Sequence, residues 1–246
     1  MSVAALQAVE VDYPGRGRAL GPFSLSLEPG EIVALVGPSG CGKSTALRLL
    51  AALEEPTAGR VSRTTARGET AVVFQSATLM PWASVLDNVA LPLVLAGLPK
   101  SQAQDKAAAT LARVRLSGAE TAKPAQLSGG MAMRASLARA LVTEPRLLLL
   151  DEPFAALDEI TRRALAQDIH ALWADSGPAI VFVTHNVEEA VFMAGRVLVM
   201  TPGPGVLAHE TRIDAPLPRP TDFRTSATFR QAVEAVSHAL QQAMAA

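Results

Sequence analysis

Eight residues, Gly37-Pro-Ser-Gly-Cys-Gly-Lys-Ser44, constrain this chain more than any other feature. They match the pattern G-x-x-x-x-G-K-[ST] and stand between the apolar run 32–36 and a helical pattern over 43–53. Glycines in such a loop let consecutive backbone N–H groups turn inward as an anion nest, and the helix that follows adds its N-terminal partial charge. Lys43 is then placed to reach β- and γ-phosphates and Ser44 to hold Mg²⁺, while Gly37, Pro38, Ser39, Gly40, Cys41, Gly42 and Thr45 complete the cradle. Taken alone, the octapeptide could be a glycine-rich structural turn; its place between a buried strand and an apolar helix favours the nest.

Four short apolar runs, 32–36, 71–74, 147–150 and 180–183, end in polar or glycine residues. Rich in Val, Ile and Leu, they read as parallel strands buried on both faces. Helical patterns lie between and around them, over 43–53, 102–116 behind a Ser101 cap, 130–142, 159–174 and 187–193 behind Asn186. This alternation makes the fold class α/β. Between Gln75 and Pro145 strand signals vanish, which predicts a helical subdomain inserted into the α/β core. Beyond Met200, Thr201-Pro-Gly-Pro-Gly205 and Asp214-Ala-Pro-Leu-Pro-Arg-Pro220 read as a linker, because proline blocks both helix and central strand. Phe229, Val233, Val236 and Leu240 then recur at helical spacing, as in a helix packed on its own domain.

Composition removes several function classes. With 22 Lys+Arg against 23 Asp+Glu, the 246 residues have no general electrostatic hold on a phosphate backbone, so nucleic acid is not an expected partner. No run of 18 apolar residues exists; the richest stretch, 77–98, contains Pro81, Asp87, Asn88 and Pro92 and is not a membrane span. The N-terminus lacks the basic and apolar regions of an export signal, and the single Cys41 has no disulfide partner within the chain, so a cytoplasmic location is expected. The chain is nevertheless 49% hydrophobic and only 18% charged, which points either to apolar surface covered by a partner or to the abundance of alanine.

In a doubly wound sheet, ligands bind at the carboxyl ends of the strands, where Gln75, Asp151, Glu152 and His185 stand. Asp151, after Arg146-Leu-Leu-Leu-Leu150, suits Mg²⁺ held through water and Ser44; Glu152 then orients or deprotonates the attacking water, and His185 contacts the γ-phosphate. His170, His209 and His238 have no such context and read as surface residues outside any metal cluster. A second glycine motif, Leu127-Ser-Gly-Gly130, opens another helix and forms a further anion site from Ser128 and its neighbouring N–H groups.

Phosphate loop, Gln75, Leu127-Ser-Gly-Gly130, residues 147–152, Ala156-Leu-Asp158 and His185, in this order, resemble the ATP-binding subunit of ABC transporters over about residues 8–207. The resemblance implies a P-loop NTPase core with a mostly parallel sheet, an N-terminal antiparallel β part and an inserted helical subdomain. These make one nucleotide-binding domain over 1–246, with core 1–75 and 146–212, helical part 76–145, and linker and helix 213–246. It implies ATP and Mg²⁺, and a head-to-tail homodimer in the ATP-bound state with each nucleotide between one phosphate loop and the partner's Ser128, Gly129 and Gly130. Asp158 would link the two sites, and Gln75 would report on Mg²⁺ and nucleotide. Tyr13 matches the aromatic that stacks on adenine, which is the favoured reading over Val9, Val11 and Tyr13 forming one core face of a strand. Met131 stands where Gln often follows the signature, and Ala155 where Gly or Ser is usual.

Thr78-Leu-Met-Pro-Trp82, Ser84-Val-Leu-Asp-Asn-Val89, Thr184-His-Asn-Val-Glu-Glu-Ala-Val191, the 201–205 stretch and Leu217-Pro-Arg-Pro220 resemble the nitrate, sulfonate and taurine importers. That subgroup implies integral membrane permease partners, an external solute-binding protein reached indirectly, and a peripheral position on the cytoplasmic face of the cell membrane. The alternatives fit less well. A soluble ABC ATPase would need a coiled-coil insertion or second unit, and a small-molecule P-loop kinase would need an arginine-rich lid and no Leu127-Ser-Gly-Gly130. Two side chains carry open expectations. Cys41, beside Lys43 and a helix N-terminus, is either a reactive thiolate of lowered pKa or an inert filler. Leu79-Met-Pro-Trp82 with Val85 and Leu86 either receives a permease helix or packs between helical part and core.

Overall fold

Strands that are apolar on both faces need cover on both faces, and a computed structural model, describing residues 2–15, 17–66 and 68–245, provides it. Met1 of the N-terminal segment considered above lies outside those residues. In chain order the elements are β1 (Ala4–Tyr13), β2 (Gly17–Leu27), β3 (Ile32–Val36), α1 (Lys43–Leu50), β4 (Ala58–Arg63), β5 (Thr70–Val73), α2 (Val85–Leu95), α3 (Lys100–Arg113) and α4 (Gly129–Leu141). They continue as β6 (Leu147–Asp151), α5 (Glu159–Ser176), β7 (Ala179–Thr184), α6 (Val187–Met193), β8 (Arg196–Met200), β9 (Leu207–Arg212) and α7 (Ala227–Ala245).

One sheet has the order β5-β6-β7-β3-β8-β9, parallel except for β9, and a second, antiparallel sheet has the order β2-β1-β4. Alternate residues of the central strands enter different cores. Ala34, Leu148, Leu150, Ile180 and Phe182 face the helical side, whereas Val33, Leu35, Leu147, Leu149 and Val181 face α1 and the antiparallel sheet. Full burial of one large aliphatic side chain is worth roughly 1.5–3 kcal/mol, so this two-sided packing fixes the sheet and, with it, the loops at its ends. Registers such as Val73 with Leu150, Asp151 with Val183 and Val36 with Thr184 align the carboxyl ends of β5, β6, β7 and β3 along one edge. The inserted helices α2, α3 and α4 pack on one another between β5 and β6 in the chain.

The linker expected over 201–220 is instead built into the fold. β9 pairs antiparallel with β8 at the sheet edge, where a strand needs little apolar content of its own. In the proline-rich run that follows, Arg219 is buried and donates to the carbonyl oxygens of Val191, Phe192 (2.8 Å) and Ala194 (2.9 Å) at the end of α6. A cation there answers the unpaired carbonyls and the negative end of a helix. His170, expected at the surface, is also buried: it stacks on Phe192, its Nδ1 accepts from the Arg219 N–H (3.4 Å), and its Nε2 donates to the Met193 carbonyl (3.0 Å). The α5 spacing that buries one helix face carries His170 into the core, a placement that its lack of chemical neighbours in sequence hides. His209 and His238 are exposed.

Candidate functional site

The loop between β3 and α1 wraps the end of the sheet. Gly42 caps α1 at φ 95°, in the left-handed region, and a Cβ there would lie 2.7 Å from the Ala19 carbonyl oxygen, so both conformation and space demand glycine. Lys43 is buried, and its Nζ donates to the carbonyl oxygens of Gly37 (2.8 Å) and Pro38 (2.9 Å), which holds the ammonium inside the ring of the loop. Ser39, Gly40, Gly42, Lys43, Ser44 and Thr45 line a cleft of about 500 Å³ with Tyr13 and Glu152. Three further lining residues, Gly17, Arg18 and Ala19, come from β2 and were not legible in sequence. Tyr13 is half-buried rather than a core residue like Val9 and Val11, and its hydroxyl lies 3.5 Å from Thr45 Oγ1 at the mouth of the cleft.

Two acids, Asp151 at the end of β6 and Glu152 just beyond it, enter different surroundings. Asp151 Oδ1 accepts from Ser44 Oγ at 3.0 Å. Burial pushes its carboxyl above the ordinary range, while the Ser44 hydrogen bond and the charges of Arg48 and Lys43 pull the other way. Glu152 has φ 46°, a left-handed conformation costing roughly 1–2 kcal/mol in a residue with a side chain, and its N–H donates to the Val183 carbonyl at 3.0 Å. That turn sends its carboxylate to the cleft, where Oε2 accepts from His185 Nδ1 at 3.1 Å. Gln75 is exposed just beyond β5, on the same edge of the sheet. The oxygen donors Ser44 and Asp151 suit a hard cation such as Mg²⁺. Among the described residues, no cluster of three or more His, Cys, Asp or Glu could hold a metal by itself, so such an ion would need phosphate and water oxygens as well.

Ser128, Gly129, Gly130 and Asp158 are brought together elsewhere. Ser128 caps α4, its Oγ accepting from the Met131 N–H at 3.3 Å; Asp158 caps α5, accepting from the Thr161 N–H (3.0 Å) and hydroxyl (2.6 Å). Those Thr161 bonds hold the Asp158 carboxyl below its ordinary range. The two helix starts abut, since a Cβ on Gly130 would lie 2.6 Å from Thr161 Cγ2. None of these four residues lines the cleft of its own chain.

Cys41 does not have the lowered pKa considered above. Its thiol is fully buried, and burial pushes it up more than nearby Lys43 lowers it. The apolar run after Gln75 is also sorted by the structure: Trp82 is 75% exposed, so it is not packed between helical part and core, whereas Val85 is buried and Leu79 and Leu86 are partly so. Trp82 therefore projects alone from a loop anchored by its neighbours.

The family model described as ABC transporter matches residues 20–155. The taurine import ATP-binding protein of Chromobacterium violaceum is 44% identical over 218 residues, covering 85% of this chain and 84% of that protein. An aliphatic sulfonates import ATP-binding protein of Streptomyces avermitilis is 49% identical over 222 residues, covering 89% and 82%. Among solved structures, a dimeric bacterial ABC transporter cassette aligns with a TM-score of 0.77 at 30% identity, covering 86% of this chain and 99% of that one. A dimeric ATP-binding cassette in a post-hydrolysis state with ADP and Pi aligns with a TM-score of 0.76.

Proposed function

Because this chain belongs to the ABC transporter family of ATP-binding proteins, we propose that it binds and hydrolyses ATP to power import of nitrate, a sulfonate, taurine or a related small solute. The observation that carries the reading is one cleft lined by the phosphate loop and Glu152, with Asp151 behind it on the lining Ser44 and His185 on Glu152, so that the two acids have separate roles. The N–H groups of the loop and Lys43 bind the phosphates, and Tyr13 stacks on the adenine. Ser44, Asp151 and Gln75 would hold Mg²⁺, which supplies neutralising charge at the phosphates when bound. Glu152 orients the attacking water and accepts its proton, and His185 fixes the carboxylate through Nδ1 and contacts the γ-phosphate. Ser128, Gly129, Gly130 and Asp158 form a second surface that fits the nucleotide of a second copy, in keeping with the dimeric cassettes.

No helix among the described residues is long and apolar enough to cross a membrane; on this reading permease subunits carry the solute across, and Trp82 is the side chain offered to them. On this reading the chain sits at the cytoplasmic face of the membrane, and the solute is bound by the permease and an external binding protein. The test is Glu152→Gln beside Lys43→Ala. Glu152→Gln is expected to bind MgATP, dimerise with it and hydrolyse it about 10²–10⁴-fold more slowly, whereas Lys43→Ala loses affinity. Hydrolysis by Glu152→Gln at the wild-type rate would overturn the assignment.

A further inference from the structure

The loop after Gln75 is fastened from the helical side. Arg139, on the last turn of α4, donates from Nη1 to the Thr78 carbonyl (2.8 Å) and from Nη2 to the Ala77 carbonyl (3.0 Å) and Thr78 Oγ1 (2.9 Å). Thr78 has φ 46°, a conformation a β-branched residue adopts only when its surroundings impose it. Among the described residues no carboxylate pairs with Arg139, and burial holds its guanidinium below the ordinary range, so the charge is committed to those loop oxygens. The rest of the loop is tied to helices as well: the Asn88 side chain accepts from the Met80 N–H (2.7 Å) and donates to the carbonyls of Met80 (3.2 Å) and Ser84 (2.9 Å). By contrast, Gln75 and Ser76 are exposed.

We propose that Arg139 is a positioning residue for Gln75, locking the start of the Gln75–Trp82 loop to the helix that Ser128 opens, so that α4 and this loop act as one body. The proposal rests on the reading of Gln75 as a nucleotide-site residue. A planar guanidinium grips two carbonyls and a hydroxyl at once, which an ammonium on the same stem cannot reproduce. Its loss would free residues 77–78 and misplace Gln75 without touching the phosphate loop.

The experiment uses the full chain and reads the clamp at Thr78, whose side chain Arg139 holds. Arg139→Gln is expected to lower the NMR order parameter of the Thr78 methyl group and to cut kcat for MgATP about tenfold or more, with the Kd for MgATP within about twofold. Arg139→Lys, which keeps the charge and guards against a folding defect in the glutamine variant, should fall between the wild type and Arg139→Gln. An unchanged Thr78 order parameter or unchanged kcat in Arg139→Gln overturns the proposal, as does a loss of MgATP affinity as large as the loss of kcat. Failure of the functional reading is distinguishable, because the parent protein would then hydrolyse no MgATP while the Thr78 order parameter still reports on the clamp.

Discussion

Gly205 lies far from the phosphate loop in sequence and against it in space. A Cβ at this position would sit 1.8 Å from the Cys41 carbonyl oxygen and 2.9 Å from the Cys41 carbonyl carbon. Ordinary C···O contact begins near 3.3 Å, so Gly205→Ala forces the backbones apart by about 1.5 Å, immediately before Gly42 and Lys43. The 201–205 turn has little room to retreat, because the Gly205 carbonyl accepts from the Gly21 N–H at 3.0 Å and the Gly205 N–H donates to the Ala19 carbonyl at 3.4 Å. Overpacking of this kind costs about 3 kcal/mol when the backbone must yield, which is about two decades in an equilibrium constant. The expected result is a Kd for MgATP raised about 100-fold. At a nucleotide concentration of 100 wild-type Kd, ligand stabilisation then falls from about 2.7 to about 0.4 kcal/mol, readable as a lost rise in melting temperature. Gly203→Ala is the control: its Cβ would stand 3.4 Å from the Gly40 carbonyl oxygen, an ordinary contact, and affinity should stay within about threefold. A nucleotide-induced rise in Gly205→Ala equal to that of the wild type would refute the argument.

The buried thiol of Cys41 should react with maleimide slowly in the folded protein and rapidly in denaturant; equal rates in both would contradict its burial. Trp82→Ala removes an exposed side chain and should leave melting temperature and MgATP hydrolysis by the isolated subunit close to wild type, while weakening co-purification with the permease; retained assembly with lost stability would reverse that reading. Burial holds His170 below its ordinary value of about 6.5, with Arg219 and Arg224 adding repulsion, so the unfolded chain takes up a proton there that the folded chain resists. That stability is present above about pH 6.5 and is lost as pH falls from there towards the depressed folded value; melting curves of the wild type should show the loss and His170→Gln should flatten it.

Strands β3, β5, β6 and β7 and the helices α4 and α6 behind their caps were legible because their signals are local, whereas Ser101, expected as a cap, lies inside α3, which starts at Lys100 behind Pro99. Residues 32–36 are uniformly Val, Ile, Leu and Ala, and Asn186 and Ser128 cap helices where the sequence places them, through Glu189 and Met131 N–H groups. The strand β9 was not legible, since Leu207-Ala-His-Glu-Thr-Arg212 is almost wholly exposed and takes its geometry from β8. The helix α2 was hidden by Pro92, which sits inside it and loses one backbone bond that tertiary packing of Val85, Val89 and Ala90 outweighs.

The same distinction separates the site residues. Lys43, Ser44, Asp151 and Glu152 announce themselves because the chemistry requires those side chains directly after strands, and adjacent parallel strands carry them to one edge. Arg139, Gly205 and Arg219 work by fitting against main-chain atoms of distant segments: Arg139 on Thr78, Gly205 on Cys41, Arg219 on the end of α6. A backbone carbonyl has no residue identity, so the partner of such a contact leaves nothing in the sequence to match. Cys41, left open in sequence between thiolate and filler, shows the converse case. Its neighbours Lys43 and a helix N-terminus are local and favour the thiolate, but burial in a core cluster with sequence-distant residues such as Leu20 and Met200 outweighs them. Where a near charge and a distant wall act on one group, sequence shows only the charge, and here the wall sets the direction of the shift.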